Sequence, residues 1–265
     1  MANKRIALAG AGNVATHLAA AFARAESIDL IYIGDRTAEH ARALADEVGV
    51  SAAGSLGAIS QLADLDVIVV SVADSGIEDV AAAIGPHVAE PLTVHTSGTV
   101  SKHVLEAVSP RTGILYPLQS FTAGVAADLG RVPFFIETAQ AADYPLLEDL
   151  ARSLSPRVYH ADERLRGILH IAGVYTNNFV NVMLLEAERL LGREGLGLEV
   201  VEPLVRATVD KAFAIGPLAA QTGPARRGDS EVVRRQLERL PDDMKPVYET
   251  VSQLITDTFS KTKRE

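Results

Sequence analysis

Four groups of residues in this 265-residue chain have types and spacings that suit chemistry. The first is Gly10-Ala11-Gly12-Asn13-Val14-Ala15, two glycines one apart and a small residue three further on. Gly10 permits a tight turn, Gly12 has no Cβ to keep a pyrophosphate off the backbone, and Ala15 lets the next helix lie close to the strand. The N–H groups that open such a helix, here from Asn13 and Val14, bind phosphate with the help of its positive dipole end. The second group is Asp35-Arg36-Thr37, a little over 20 residues past Gly12. A carboxylate there accepts hydrogen bonds from ribose hydroxyls, whereas a guanidinium there pairs with a 2′-phosphate or stacks on adenine. Asp35 points to NAD and Arg36-Thr37 to NADP, and both stay open, as does a plain surface pair capping the next helix. The third group is His170, Asn177 and Asn181. On an ideal helix the two asparagines fall within about 20° of His170, so imidazole and amides form one polar stripe. An imidazole titrates near neutral pH and suits proton transfer. A narrow solvent seam, or amides bonded to neighbouring helices, would give the same stripe. The fourth group is helical and loop-borne: Thr208 and Lys211 on one face, then Gln221-Thr222-Gly223-Pro224-Ala225-Arg226-Arg227-Gly228-Asp229. Two adjacent arginines in a Gly/Pro-shaped loop can clamp a carboxylate, though a solvated interhelix loop reads alike.

The elements that must position these groups alternate. Ile6–Ala9 is a short apolar run, and Val14, Leu18, Ala21, Phe22 and Ala25 then recur at helical spacing. Further strands are expected at 28–33, 66–72, 92–98, 113–116, 132–137 and 157–160, with helices between most of them and a short helix at 55–62. Val67-Ile68-Val69-Val70 is β-branched and apolar throughout, as a strand buried on both faces should be. Strand–helix alternation predicts an α/β fold, a doubly wound parallel sheet whose ligands lie beyond the carboxyl ends of the strands. Those ends carry Gly10, Asp35, Ser71-Val72-Ala73, Thr96-Ser97-Gly98 and Tyr116-Pro117. Ser71, Val72, Ala73 and Thr96 are therefore expected beside a dinucleotide, and Ser97 and Gln119 beside a substrate. After about residue 156 strand signals stop. Helices are expected at 162–191, 199–215, 230–240 and 243–261, which divides the chain into a cofactor domain, 1–156, and an all-helical domain, 157–265, with a frayed tail at 261–265. The centre of the first of these helices is apolar nearly all round and is expected to be buried.

Composition narrows the function classes. Apolar residues make up 48%, too many for a disordered chain. The net charge of −9 argues against nucleic acid as the main partner. No cysteine is present, which removes disulfides, thiolate metal sites and cysteine nucleophiles; no metal site is expected. No apolar run of membrane-spanning length and no secretory segment is expected, and the location inferred is cytoplasmic.

Taken together, Gly10 to Leu18, His95-Thr96-Ser97-Gly98, Tyr116-Pro117-Leu118-Gln119-Ser120-Phe121, Asn177-Asn178-Phe179 and the 221–229 loop resemble the Rossmann-like proteins that contain the DUF2520 domain, a family of NAD(P)-dependent oxidoreductases. The family looks like a branch of the superfamily of 6-phosphogluconate and β-hydroxyacid dehydrogenases and pyrroline-5-carboxylate reductases. That resemblance implies a dimer built through the C-terminal helices. Its relation to ketopantoate reductases suggests a small 2-oxo acid. The β-hydroxyacid dehydrogenases carry a catalytic lysine four residues before an asparagine on the interdomain helix. Here Gly173 and Val174 occupy those places, so His170 or Lys211 must supply the proton.

The function expected is hydride transfer between nicotinamide and the carbonyl or imine carbon of a small carboxylate. His170 is the candidate acid, with Lys211 as its rival. Asn177 would hold the reacting oxygen or the nicotinamide amide. Gln119, Ser97 and Asn181 would position substrate, and Arg226 and Arg227 would hold its carboxylate. A non-enzymatic NAD(P)-binding sensor or scaffold is the alternative, since a fold alone does not set function.

Overall fold

The computed structural model describes residues 3–261, so residues 262–265 of the expected tail lie outside it. Contacts divide the chain into two compact units, Met1–Asn178 and Phe179–Glu265. The sheet ends at residue 160, close to where strand signals stop, and the first unit continues through one more helix.

The first unit holds one eight-stranded sheet in the order β3-β2-β1-β4-β5-β6-β7-β8. The strands are β1 (Lys4–Ala9), β2 (Ile28–Asp35), β3 (Ala53–Ser55), β4 (Val67–Val70), β5 (Leu92–His95), β6 (Thr112–Pro117), β7 (Phe134–Thr138) and β8 (Val158–His160). Helices α1 (Asn13–Phe22), α2 (Ala38–Val48), α3 (Ile77–Ile84) and α4 (Tyr144–Leu154) cover its faces. Side chains alternate across the pleat. Ile6, Leu8, Val67, Val69, Leu92 and Val94 join the core under α1 and α4. Ala7, Ala9, Ile68 and Val70 join the core under α3. Val67 to Val70 are all 0% exposed, as their β-branched run requires. The sheet is parallel except that β6 and β7 run antiparallel, a departure from the all-parallel expectation. The three-residue β3 escaped the sequence pattern because it is too short to show a period, and a 3-10 turn at Leu56–Gln61 stands where a short helix was expected.

The helix expected at 162–191 is present but interrupted. It comprises α5 (Glu163–Gly173), a π-helical turn (Val174–Asn178) and α6 (Phe179–Gly192). Asp162 caps it, its side chain accepting from Leu165 N at 2.7 Å. The π turn changes the angular phase of every residue after it, so the 100° alignment of Asn181 with His170 does not carry across. The expectation of burial is also overturned. Ile171, Tyr175 and Phe179 are 54%, 64% and 46% exposed.

The second unit continues with α7 (Glu202–Ile215), α8 (Pro217–Ala220), α9 (Pro224–Arg227), α10 (Ser230–Arg239) and α11 (Lys245–Lys261). α9 packs on α10 and α11. Among its described residues only Ala220, Ala225 and Met244 are buried hydrophobics.

Candidate active site

The glycine turn has the geometry that a dinucleotide needs. Gly10 adopts φ +121°, and a Cβ there would collide with the Ser71 carbonyl oxygen. A Cβ at Gly12 would meet nothing within 4 Å, so the backbone there is open to a ligand. Helix α1 begins at Asn13 without a side-chain cap and without an acid in its first turn. The N–H groups of that turn have no helical partner, and an anion fits them. Ala15 is 0% exposed and packs the helix to the sheet. Asn13 faces the other way, its Nδ2 donating to Phe121 O at 3.2 Å, and Val14 is partly buried against the core.

Asp35 and Arg36 divide the next position between them. Asp35 turns inward. Its Oδ2 accepts from Ala11 N at 3.1 Å and its Oδ1 from Thr37 N at 2.9 Å. It braces the glycine turn and the start of α2. Arg36 and Thr37 are exposed, and the Arg36 side chain makes no hydrogen bond or ion pair among the described residues. Deeper in the crevice, Thr96 Oγ1 lies 3.4 Å from Ser71 Oγ, tying the ends of β4 and β5 together. Val72 is half-buried and Ala73 exposed beside them.

The chemistry-bearing cleft of the first unit lies at the end of β6. Tyr116, Gln119, Ser120, His170, Asn177 and Asn178 line a space of about 500 Å³. The Tyr116 hydroxyl is 3.4 Å from His170 Nδ1. Gly98 makes this approach possible: a Cβ there would lie 2.8 Å from Tyr116 Cζ and 2.9 Å from His170 Nδ1. Gln119 Oε1 accepts from Ser120 N at 2.9 Å, and Asn177 Nδ2 donates to Asn178 Oδ1 at 3.2 Å. Burial pushes the Tyr116 phenol above its ordinary range, helped by the charge of Asp74 and opposed by Arg166. Tyr116 therefore stays protonated at neutral pH.

The helix that carries His170 is pinned from below. Arg166, one turn earlier on α5, is 0% exposed. Its Nη1 donates to Glu137 Oε2 at 2.8 Å and its Nη2 to Val100 O at 2.9 Å. Lys102 Nζ donates to the other Glu137 oxygen at 2.6 Å. One carboxylate on β7 thus carries two cations. Nearby, His95 is fully buried and accepts from Ser97 N at 3.1 Å, with its Nε2 3.2 Å from Ser101 O. Burial drives its pKa down to about 4, so the ring is neutral at pH 7.

Several candidate residues take other places. Ser97 is 5% exposed, and its hydroxyl accepts from Thr99 N at 3.1 Å and Val100 N at 3.0 Å. That is a turn-forming role, which the sequence could not separate from substrate binding. Asn181, Lys211, Arg226 and Arg227 belong to the second unit, and all four are exposed. Arg226 donates to Gln221 O at 2.6 Å and lies over the Phe259 ring, 4.9 Å from its centroid. It shapes the 221–229 loop. Tyr116, Ser120 and Asn178 were not among the candidate residues. For Tyr116 the available signal was its place at the carboxyl end of a strand.

The family model described as NADP oxidoreductase coenzyme F420-dependent matches residues 5–96, and DUF2520, a domain of unknown function, matches residues 132–255. The chain is 36% identical to the solved structure described as "putative NADP oxidoreductase BF3122 from Bacteroides fragilis", with 96% of this chain and 98% of that one covered and a TM-score of 0.86. Protein TM1727 from Thermotoga maritima matches at 22% identity over 98% of this chain and 100% of that one, TM-score 0.71. The pyrroline carboxylate reductase of Plasmodium falciparum, solved with NADP bound, matches at 15% identity over 98% of each chain, TM-score 0.63. The reductive aminase of Aspergillus terreus, solved with NADPH and ethyl levulinate, matches at 16% identity over 98% and 94%, TM-score 0.71. The last three likenesses show the fold alone. None of the curated proteins matches the chain.

Proposed function

Because the chain belongs to the NADP oxidoreductase family that carries the DUF2520 domain, we propose that it is an NADPH-dependent reductase of a small carboxylate-bearing carbonyl or imine. The observation that carries this reading is the cleft in which Tyr116, Gln119, His170 and Asn177 meet beside the carboxyl ends of β5 and β6. Ligands of doubly wound sheets bind at that edge. Nicotinamide supplies the hydride when bound; the protein orients the reactants and handles the proton. The first turn of α1 would hold the pyrophosphate, and Arg36 with Thr37 the 2′-phosphate. His170 would protonate the oxygen or nitrogen of the substrate as its carbon is reduced. Asn177 and Gln119 would hold the reacting group or the cofactor amide. Two structural neighbours favour this class: a pyrroline carboxylate reductase solved with NADP bound and a reductive aminase solved with NADPH and ethyl levulinate. The test is NADPH oxidation against a panel of 2-oxo acids and cyclic imino acids. Turnover of at least one member, lost in His170→Gln, is expected. Tight NADPH binding with no turnover across the panel would favour the sensor reading instead.

The second unit is read as the surface of a homodimer. α6 and α7 bury no residue among those described. Leu204, Phe213 and Leu254 are 68%, 89% and 64% exposed. Apolar faces of that extent mark interaction sites. The helix 163–192 is also long and apolar enough to cross a membrane, with mean hydropathy 1.3, contrary to the expectation that no segment would be. Arg166, buried against Glu137, and the polar His170, Asn177, Asn178 and Asn181 along it argue for a protein partner.

A further inference from the structure

Tyr116 carries no step of the proposed reaction, yet its hydroxyl is 3.4 Å from Nδ1, the ring nitrogen of His170 opposite the one that faces no protein partner. It closes β6, is 8% exposed, and its ring sits with Phe135 at a centroid distance of 6.5 Å and His170 at 6.4 Å. Gly98 lies against both Tyr116 and His170 Nδ1, so neither ring has room to turn toward it. Resting on the reductase reading, we propose that Tyr116 is the positioning residue of His170: its hydroxyl engages Nδ1 and leaves Nε2 as the nitrogen that exchanges the proton with substrate.

The chemistry of the two groups supports this. A phenol is both donor and acceptor, so it bonds a bare Nδ1 by donating and a protonated Nδ1 by accepting. Nδ1 is thus engaged in either charge state of the ring. Nε2 has no hydrogen-bond partner among the described residues. In the reduction, the Nε2–H bond of the imidazolium breaks and an O–H or N–H bond forms on the substrate, while the nicotinamide hydride adds to carbon. The ring is left neutral with its proton on Nδ1, donated to the Tyr116 oxygen. Tyr116 ends the step with its own proton still in place, consistent with a phenol that burial keeps from ionising. Arg166 fixes the other end of the arrangement. It ties α5 to Glu137 and to Val100 O one turn before His170. Second partners that orient an imidazole are worth about 10- to 100-fold in function where they have been removed from metal sites.

The experiment is a double-mutant cycle with a spectroscopic arm. Tyr116→Phe, His170→Gln and the double variant are assayed with NADPH and either pyruvate or pyrroline-2-carboxylate, whichever the wild type reduces faster. Tyr116→Phe should lower kcat about 10- to 100-fold with NADPH affinity and melting temperature unchanged. In the His170→Gln background the same change should cost nothing further, because the tyrosine acts through the histidine. Equal losses in both backgrounds would overturn the proposal. The second arm does not depend on turnover. In ¹⁵N-histidine spectra, the His170 signals are identified by their absence in His170→Gln. The Nδ1 resonance should move in Tyr116→Phe. An unmoved Nδ1 resonance would overturn the proposal by itself. A moved resonance in a protein that reduces nothing would leave the Tyr116–His170 pair standing and remove the reductase reading.

Discussion

At the residue scale, the proposed reduction turns on two pairs. In the first, Asp35 faces inward to the N–H groups of Ala11 and Thr37, and Arg36 faces out. Adjacent opposite charges left the choice of dinucleotide open in the sequence; the NADP oxidoreductase family favours NADP, and the two side chains are disposed to suit it. With the carboxylate occupied by the turn, repulsion of a 2′-phosphate is reduced and the guanidinium is available to it. Arg36→Ala should therefore weaken NADPH binding about 10- to 150-fold, the worth of a charge-assisted hydrogen bond, with little effect on NADH. Equal losses in calorimetric titrations of both cofactors would show that Arg36 does not read the phosphate. The second pair is Tyr116 and His170, 54 positions apart. Neither residue announces the other in the sequence, because no local period links a strand end to a helix that distant. Gly98 is their silent third member. Gly98→Ala places a methyl group where the two rings meet, an overpacking worth about 1–3 kcal/mol. Reduced turnover with NADPH affinity retained is the expected outcome, and an unchanged kcat would mean that the cleft is looser than the structure shows.

At the element scale, the strands and helices of the first unit were legible where a period or a run existed. The β-branched run of β4 and the helical spacing after Gly12 define their elements. Three features were not legible. The π turn at 174–178 has no sequence signal as plain as a proline, and it breaks the angular arithmetic that aligned Asn181 with His170. The burial of Arg166 looks like any charged helical position until Glu137 and Val100 are placed beneath it. Ser97 at a strand end gives no hint in the sequence that its hydroxyl accepts from Thr99 N and Val100 N. The Glu137 cluster gives a prediction at this scale. Glu137→Gln leaves two cations, one of them fully buried, without a countercharge. Breaking a buried pair in this way costs about 3–5 kcal/mol, which should appear as a lowered urea midpoint. A midpoint within error of the wild type would show that α5 is held by packing alone.

At the scale of the whole molecule, the fold should weaken in mild acid for a definable reason. His95 is neutral in the fold with a pKa pushed down to about 4, against 6.5 for the free side chain. Between those values the unfolded chain binds a proton that the folded chain does not. Stability is then complete above about pH 6.5 and falls as the pH drops toward 4. The loss from this group should reach roughly 2 kcal/mol by pH 5, and His95→Asn should flatten the slope of stability between pH 7 and 5. A slope unchanged in the variant would assign the acid sensitivity to other groups. The exposed apolar helices of the second unit lead to a further expectation, a dimer in light scattering at micromolar concentration; a monomer with these faces bare would contradict it. The proposed reduction needs both a cofactor-binding sheet and a proton-donating histidine. Its most direct test is steady-state NADPH oxidation by wild type and His170→Gln with the best substrate of the 2-oxo acid and imino acid panel. kcat should fall about 10²- to 10⁴-fold in the variant, while NADPH still binds and still raises the melting temperature. Undiminished turnover in His170→Gln would contradict this and place the proton donor elsewhere.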